Sequence, residues 1–501
     1  MTRDMKKILL YFAAGAMLLS SCDLDINENP NYPSSSSVTD DLIFPAAENA
    51  IADCLGDQMF NYAGFFAQYF DQNPTSNQYN DLAELNLDES SDLFRRCYTY
   101  LYAGALTDLQ TILDRSTNTS DIFACTVLRA QAFQLVVDNL SDAPYSEALQ
   151  GSDNTTPKWD DGKTVYEGIL AELDEAEAAL DGSAMTVTDP MLGKSVSQWK
   201  GYANALRLRI YLRLIDGNID ASTYTAKAKA LVAANEFFTG DVVWDVYSNA
   251  SGQYNPWYDT YHSLGTRNHC AAYSIISYMS VTSDPRISYG YAKCAKDGTY
   301  VGQLPGCKTL MGEWTGATYN DDNVSGVNYS VMVASPIYLF TQSELQFLIA
   351  EVELRFNNND AAAQTAYENA VAEDFSSKGV EGVSTFLSGI RTGWDNMAST
   401  SEKLNLIYMQ KWVALNFRDH MEAWSEIRRT DVPALSSASA KQIYESPMNY
   451  NAGDMIEPGV NYIVAKGLCK RVPYPSNART LNPSNTPAAK LLSDPVFWDV
   501  K

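Results

Sequence analysis

Histidine is scarce in this sequence: His262, His269 and His420 are the only three among 501 residues. That scarcity removes most histidine-based acid–base, nucleophilic and metal chemistry. No G-x-S-x-G, H-E-x-x-H, P-loop or dinucleotide-binding fingerprint takes its place. His420 lies in a dense helical stretch and reads as a structural ring. No C-x-x-C pair occurs, and the cysteine spacings match no zinc pattern. Positive charge is also in short supply. There are 36 Lys and Arg against 61 Asp and Glu, and the net charge of −25 excludes a protein that tracks nucleic-acid phosphates. It also disfavours strongly anionic ligands. The acidic run Glu172, Asp174, Glu175 and Glu177 falls on a helical pattern and reads as a solvated face. With no catalytic constellation, the chain reads as a binding protein and not an enzyme.

Long apolar runs are missing too. The run Ile8 to Leu19 follows Arg3, Lys6 and Lys7 and is twelve residues long. A bilayer core requires about 20 residues, so this has the proportions of a secretory signal peptide. Leu19-Ser20-Ser21-Cys22 resembles the lipobox of bacterial lipoproteins, in which the cysteine is lipidated and becomes the mature N-terminus. Asp23 and Asp25 follow at once, resembling the signal that sends some Bacteroidetes lipoproteins to the outer face of the outer membrane. The expected organisation is a signal peptide over 1–21, a lipidated start and flexible tether over 22–38, and one helical domain over 39–501. Of the seven later cysteines, Cys97 and Cys125 read as small apolar fillers in helices. Cys270, Cys294 and Cys307 lie in loops where any two could pair.

Most of the domain reads as helices. Thr341 and Glu344 form a capping-box pattern ahead of Leu345, Leu348, Ile349, Val352 and Phe356, an apolar stripe at helical spacing. Asn357 to Asn359 break it, and Asp360 reads as the cap of the next helix. Similar runs cover about 92–115, 121–139, 164–180, 197–215, 222–234 and 404–429. Consecutive helical hairpins with polar turns indicate an all-α-dominated fold of TPR-like pairs, although no clean 34-residue period is present.

Between about 240 and 335 the stripes give way to Gly, Pro, Asn and Asp. From Trp244 to Tyr329 there are eleven Tyr and three Trp but no Phe. Tyr and Trp join an apolar face to a polar handle, which suits a partly wet surface that grips an amphipathic ligand. A saccharide, with C–H faces and hydroxyls, is such a ligand. The candidate ligand residues in this segment are Tyr254, Asn255, Trp257, Tyr258, Tyr261 and Arg267, with Trp314 and Tyr319 on a Gly-punctuated loop. Tyr69 and Tyr79 from an earlier aromatic stretch are added to them. Asn255-Pro256 is expected to force a turn that exposes the ring after it. Asp321 to Gly326 imitate the start of an EF-hand loop, but its twelfth position is Met332, where a bidentate Glu is required. A structural calcium ion in another geometry is the only cofactor left open.

The stretch IYMQKWVALNFRDHMEAWSEIRRTDVPAL, 407–435, resembles the C-terminal helical signature of the SusD/RagB family, in its SusD-like branch. Gln410, Lys411, Trp412, Ala414, Glu422, Trp424, Glu426, Arg428, Arg429 and Pro433 carry it. RAQAFQLVVDNLSDAPYSEAL (129–149), WKGYANALRLRIYLRL (199–214), SELQFLIAEVEL (343–354), SDPRISYG (283–290) and RVPYPSNARTLNP (471–483) match further family segments in order. Ala478 departs from the pattern, which usually has Glu there. These motifs belong to the scaffold, and Trp424, Arg428 and Arg429 read as parts of a packed helix end with its ion pairs. The resemblance implies a surface lipoprotein that captures oligosaccharides for a SusC-like TonB-dependent transporter; a peptide-binding relative is the alternative. Cys22→Ala is expected to leave the protein soluble or misprocessed. Palmitate labelling and outer-membrane fractionation check this, and retention of both refutes the anchor.

Overall fold

Helices account for about 54% of the described residues. The computed structural model describes residues 38–463 and 467–501; the apolar leader, Cys22 and the tether up to residue 37 lie outside the described residues. The chain enters through α1 (Asp40–Gly56) and α2 (Gln58–Phe66). It continues through α3 (Thr107–Arg115), α4 (Thr119–Leu140) and α5 (Gly162–Ala178), then α6 (Val196–Asp216) and α7 (Ala221–Ala234). An aromatic segment follows, carrying α8 (Pro256–Leu264), α9 (Tyr273–Val281) and α10 (Lys308–Thr315). The chain then returns to long helices: α11 (Gln342–Arg355), α12 (Asp360–Ser377), α13 (Thr400–Leu415) and α14 (His420–Thr430). Helices α4 and α5, α6 and α7, α11 and α12, and α13 and α14 pack as consecutive pairs. This is the TPR-like arrangement the sequence indicates.

Local chemistry sets most helix starts. Asn118 accepts from the amides of Ser120 and Asp121 to open α4, and Asp419 accepts from Glu422 N to open α14. Ser399 and Glu402 complete a capping box on α13. Two expectations change here. Thr341 does accept from Glu344 N, but the Glu344 carboxylate turns inward to Arg209 instead of closing the box. Asn359, not Asp360, caps α12; Asp360 instead binds Lys403 at 2.5 Å. The 404–429 run is two helices, broken over Asn416–Asp419. Helix α4 is long and apolar enough to cross a membrane by length and composition, but 89% of its most apolar window is buried in the fold. The acidic run on α5 is less solvated than its pattern implies. Glu172 binds Arg129 at 3.1 Å, and Asp174 and Glu177 hold the buried Arg207 at 3.1 and 2.8 Å.

Two short antiparallel pairings position the aromatic segment. Val242–Trp244 (β4) pairs with Ile337–Phe340 (β6), so the segment leaves and re-enters the helical body at one place. Phe70–Gln72 (β1) pairs with His269–Ala271 (β5) and ties the segment to the chain after α2. A third pairing, Asp142–Ala143 (β2) with Asp160–Asp161 (β3), lies before α5. The loop-rich segment is held between these clamped ends and carries only short helices, as the sequence indicates. One apolar cluster runs from Ile43 to Trp498. Cys54, Cys97, Cys125, Cys270, Cys294, Cys307 and Cys469 are all buried and unpaired; Cys97 and Cys125 are fillers as expected, and no pair forms among the three loop cysteines.

Charge is buried where α6, α11, α13 and α14 meet. Arg209 bonds Glu344 at 2.7 Å, and Arg213 bonds Asp138 at 2.7 Å and Glu422 at 2.5 Å. Arg429 binds Glu351 at 2.7 Å and Glu426 at 2.6 Å and also pairs with Asp216, while Lys411 lies 3.0 Å from Glu426. Burial would raise the Glu351 carboxyl, but Arg429 and Arg355 hold it down at about 2. Burial raises Glu422 to about 7 against the pull of Arg209 and Arg213. Removing one partner strands the others in a low-dielectric interior. Arg429→Met is expected to cost about 3–5 kcal/mol of unfolding free energy, read by urea denaturation; a loss below about 1 kcal/mol would show the network to be dispensable.

Candidate functional site

Helix α8 organises the exposed aromatic surface. Asn255 caps it by accepting from Trp257 N at 3.1 Å and Tyr258 N at 3.4 Å, Pro256 occupies its first turn, and Gly265 ends it at φ +61°. An Asn-Pro helix start is what the fixed proline φ and the N-cap preference favour. It corrects the expected turn: Asn255-Pro256 directs the next ring inward. Trp257 is only 2% exposed, whereas Tyr258 and Tyr261 on the helix and Tyr254 just before it are half-buried.

These rings form a graded stack from solvent to core. Tyr254 meets Tyr258 edge-on at 5.2 Å, and Tyr258 stacks with His262 at 5.7 Å. Tyr261 lies flat on Tyr329, with centroids 3.5 Å apart and planes 5° apart. Tyr329 faces Trp257 at 5.2 Å, and Trp257 faces Phe70 at 5.4 Å and 11°. The inner rings hold the outer ones in place, so the half-buried rings present fixed platforms.

A cleft of about 500 Å³ opens beside this stack, lined by Asp57, Gln58, Asn61, Tyr79, Arg96 and Trp257 among others. Arg96 reaches Asp57 at 2.6 Å and Asp53 at 3.0 Å, and Thr260 of α8 donates to Asp57 at 3.4 Å. Burial raises the Asp57 carboxyl to about 6, although Arg96 draws it down. Burial also pushes the Tyr79 phenol up to about 12. The cleft thus combines apolar ring faces with amide, carboxylate and guanidinium groups, the mixture that suits a small polyhydroxylated ligand.

Two neutral histidines stiffen the wall. His269 Nε2 lies 2.7 Å from Asn61 Oδ1, and its Nδ1 lies 2.8 Å from the Tyr329 hydroxyl. His420 Nδ1 donates to Phe60 O at 2.8 Å, its Nε2 accepts from Phe417 N at 3.0 Å, and its ring stacks on Phe60 at 3.7 Å. Burial lowers both to about 3.

The sequence candidates separate on inspection. Tyr79 and Trp257 line the cleft, Tyr258 and Tyr261 lie on the adjoining helix, and Tyr254 lies just before its cap. Tyr69 is not a surface residue: it is fully buried, its hydroxyl donates to Trp412 O, and its ring stacks on Trp412 at 5.7 Å. Asn255 is 1% exposed and serves as the α8 cap, with its amide nitrogen donating to Ser335 O at 3.0 Å. Trp257 belongs to the stack's interior more than to its face. Trp314 is half-buried on Tyr444 at 5.1 Å, under Lys441, in a satellite cluster separate from the stack. Tyr319 is half-buried, and burial raises its phenol strongly. Arg267 is exposed at the end of the loop after α8, where its carbonyl accepts from Ser76 Oγ at 3.1 Å. Asp321–Asn323 form a single turn capped by Asn320, and no group of three or more His, Cys, Asp or Glu suited to a metal occurs among the described residues.

Sequence reasoning missed Asp57, Gln58, Asn61, Arg96 and Thr260. Asp57 and Asn61 have helical spacing across the α1–α2 break, but nothing local separates them from other polar residues there. Arg96 joins them only through tertiary packing.

The fold and site define a class: a scaffold of helical pairs that carries a clamped aromatic segment beside an open polar cleft. The profile of the SusD-like family described as "Starch-binding associating with outer membrane" matches residues 30–450, and the chain belongs to that family. Its structure is similar to a SusD homologue from Bacteroides uniformis, with 22% identity, TM-score 0.68, and 92% of this chain and 100% of that one covered. It is also similar to a chitin-binding SusD homologue from Flavobacterium johnsoniae, with 19% identity, TM-score 0.67, and 91% and 98% covered. A Bacteroidetes SusD-like structure aligns at 18% identity and TM-score 0.72 over 93% and 100%. No curated protein matches the chain.

The histidine geometry has a measurable consequence. An unfolded chain protonates both rings near 6.5, the folded one only near 3. Their contribution to stability is therefore complete above 6.5 and lost as pH falls toward 3. Imidazole NMR signals of His269 and His420 are expected not to titrate between pH 7 and 4.5; a midpoint near 6 for either would refute its packing.

Proposed function

We propose that this protein is a lipid-anchored, cell-surface glycan-binding protein that captures oligosaccharides and passes them to a SusC-like TonB-dependent transporter of the outer membrane. The observation that carries the reading is the graded stack: Tyr254, Tyr258 and Tyr261 half-buried, backed by Tyr329 and Trp257, and opening beside a polar cleft of about 500 Å³. Sugar C–H faces stack on fixed rings, while Gln58, Asn61, Asp57 and Arg96 offer partners to hydroxyls. Because the rings are held by neighbours beneath them, little ordering is left to pay for on binding. Family membership supports the same reading, and the lipobox-like Leu19–Cys22 supports the anchor. The protein is assigned no catalytic residue; capture and hand-over require none.

The decisive measurement is calorimetry with oligosaccharides on single-ring variants. Tyr254→Ala and Tyr258→Ala are each expected to weaken binding about tenfold, roughly 1.4 kcal/mol, with the melting temperature little changed. Trp257→Ala is expected to do something different. Removing a buried tryptophan from the stack's interior costs about 3–5 kcal/mol, so the melting temperature drops sharply. Unchanged affinity in both tyrosine variants would place the ligand elsewhere.

A further inference from the structure

The charge balance of the cleft bears on which glycans enter it, and this inference rests on the glycan-binding reading above. Three carboxylates line the cavity, those of Asp57, Asp81 and Asp92, against one guanidinium, Arg96. Arg96 is already engaged, by Asp57 at 2.6 Å and by Asp53 at 3.0 Å. The remaining polar groups of the lining are neutral, among them the amides of Gln58, Asn61 and Gln78, the phenol of Tyr79 and the hydroxyls of Ser91 and Thr260. Of the nearby cations outside the lining, Lys308 is committed: it donates to Ser76 O and to Asn77 and Asn80 Oδ1, the last at 2.9 Å. Arg95 is exposed to solvent, with its side chain 3.8 Å from the lining Asp92. No lysine or histidine lines the cavity among the described residues.

We propose that this cleft admits uncharged and amino-bearing sugars and rejects uronic, sialylated and sulfated glycans, with Asp57 and Asp81 as the residues that set the discrimination. An incoming carboxylate or sulfate finds no uncommitted cation in the lining to pair with and stands near carboxylates in a partly enclosed space, where like charges repel. An ammonium or hydroxyl in the same place finds acceptors. Asp57 is the sharper of the two because it is 8% exposed and cannot turn away to solvent. Asp81 is exposed on the rim, hydrogen-bonded only to Asn86 at 3.1 Å, and acts on the approach. The groups facing Asp57 are Arg96, Asp53 and Thr260, with Asp81, Asp92 and Tyr79 across the cavity. Burial raises the Asp57 carboxyl to about 6. An acidic sugar therefore binds with uptake of a proton, and its weak affinity improves as pH falls through 6.

The test is a panel of neutral, glucosamine-containing, glucuronate-containing, sialylated and sulfated oligosaccharides offered to the full-length protein at pH 7.5 and 5.5. The expected result is binding confined to the neutral and amino members, with acidic members at least tenfold weaker and improving at pH 5.5. Asp81→Asn, on the exposed rim, is expected to narrow the acidic-to-neutral gap several-fold. Asp57→Asn narrows it further if its melting curve shows it folded. An acidic member that binds as tightly as its neutral counterpart, or a gap unmoved in folded Asp81→Asn and Asp57→Asn, overturns the charge inference and leaves glycan binding standing. Binding of no member of any class overturns the glycan reading itself, and this inference with it.

Discussion

The buried ion network among α4, α6, α11, α13 and α14 is the constraint on which the rest depends. Arg209, Arg213 and Arg429 are at most 2% exposed, and each is matched to carboxylates on other helices. Charges taken out of water are tolerable only when every partner is in place, so the network accepts one helix arrangement and penalises slipped ones. Five cations, Arg209, Arg213, Arg355, Lys411 and Arg429, face six carboxylates: Asp138, Asp216, Glu344, Glu351, Glu422 and Glu426. Burial raises the Glu422 carboxyl to about 7 despite Arg209 and Arg213, so it holds a proton at a higher pH than an exposed glutamate does.

The aromatic surface hangs from that network through α14. His420, the first residue of the helix, stacks on Phe60 and meets Phe70 edge-on at 5.2 Å. Phe70 carries Trp257, Trp257 carries Tyr329, and Tyr329 carries Tyr261. The β1–β5 pairing fixes Phe70 against the aromatic segment from the other side. A surface built this way is rigid because each ring is backed by another. Rigidity lets a binding protein use short, half-buried tyrosines where a loose loop would lose affinity to ordering.

The absence of Phe between Trp244 and Tyr329 has a more detailed meaning than surface exposure. Trp244, Trp257, Tyr278, Tyr291 and Tyr329 are buried, and the other rings of the segment are half-buried. Several buried ones use their polar handles inside the protein. Tyr291 donates to Tyr69 O at 3.1 Å, Tyr329 meets His269, and Trp257 donates to Asn61 at 3.4 Å. A segment with little regular structure has many backbone and amide groups to satisfy, and Tyr and Trp satisfy them where Phe would not.

Periodicity and capping alone were enough to read the helical pairs, the break near residue 357 and the structural role of His420, whereas the packed end at Trp424, Arg428 and Arg429 is implied by the resemblance to SusD-like motifs. Those features are local: they depend on residues within a turn or two of one another. Motif order made the SusD-like scaffold legible for the same reason. The choice among identical residue types was decided only in three dimensions. Trp257 and Tyr258 are neighbours in the chain, yet one is 2% exposed and the other half-buried, because an Asn-Pro start sets the helix phase and Phe70 waits on one side of it. Glu344 fits a capping box and serves Arg209 instead, since a buried guanidinium demands its carboxylate more than an amide does. Asp57, Asn61 and Arg96 form one cleft across the α1–α2 break and a distant helical turn, and contact between residues far apart in sequence is a property of packing, which no single window of the chain contains.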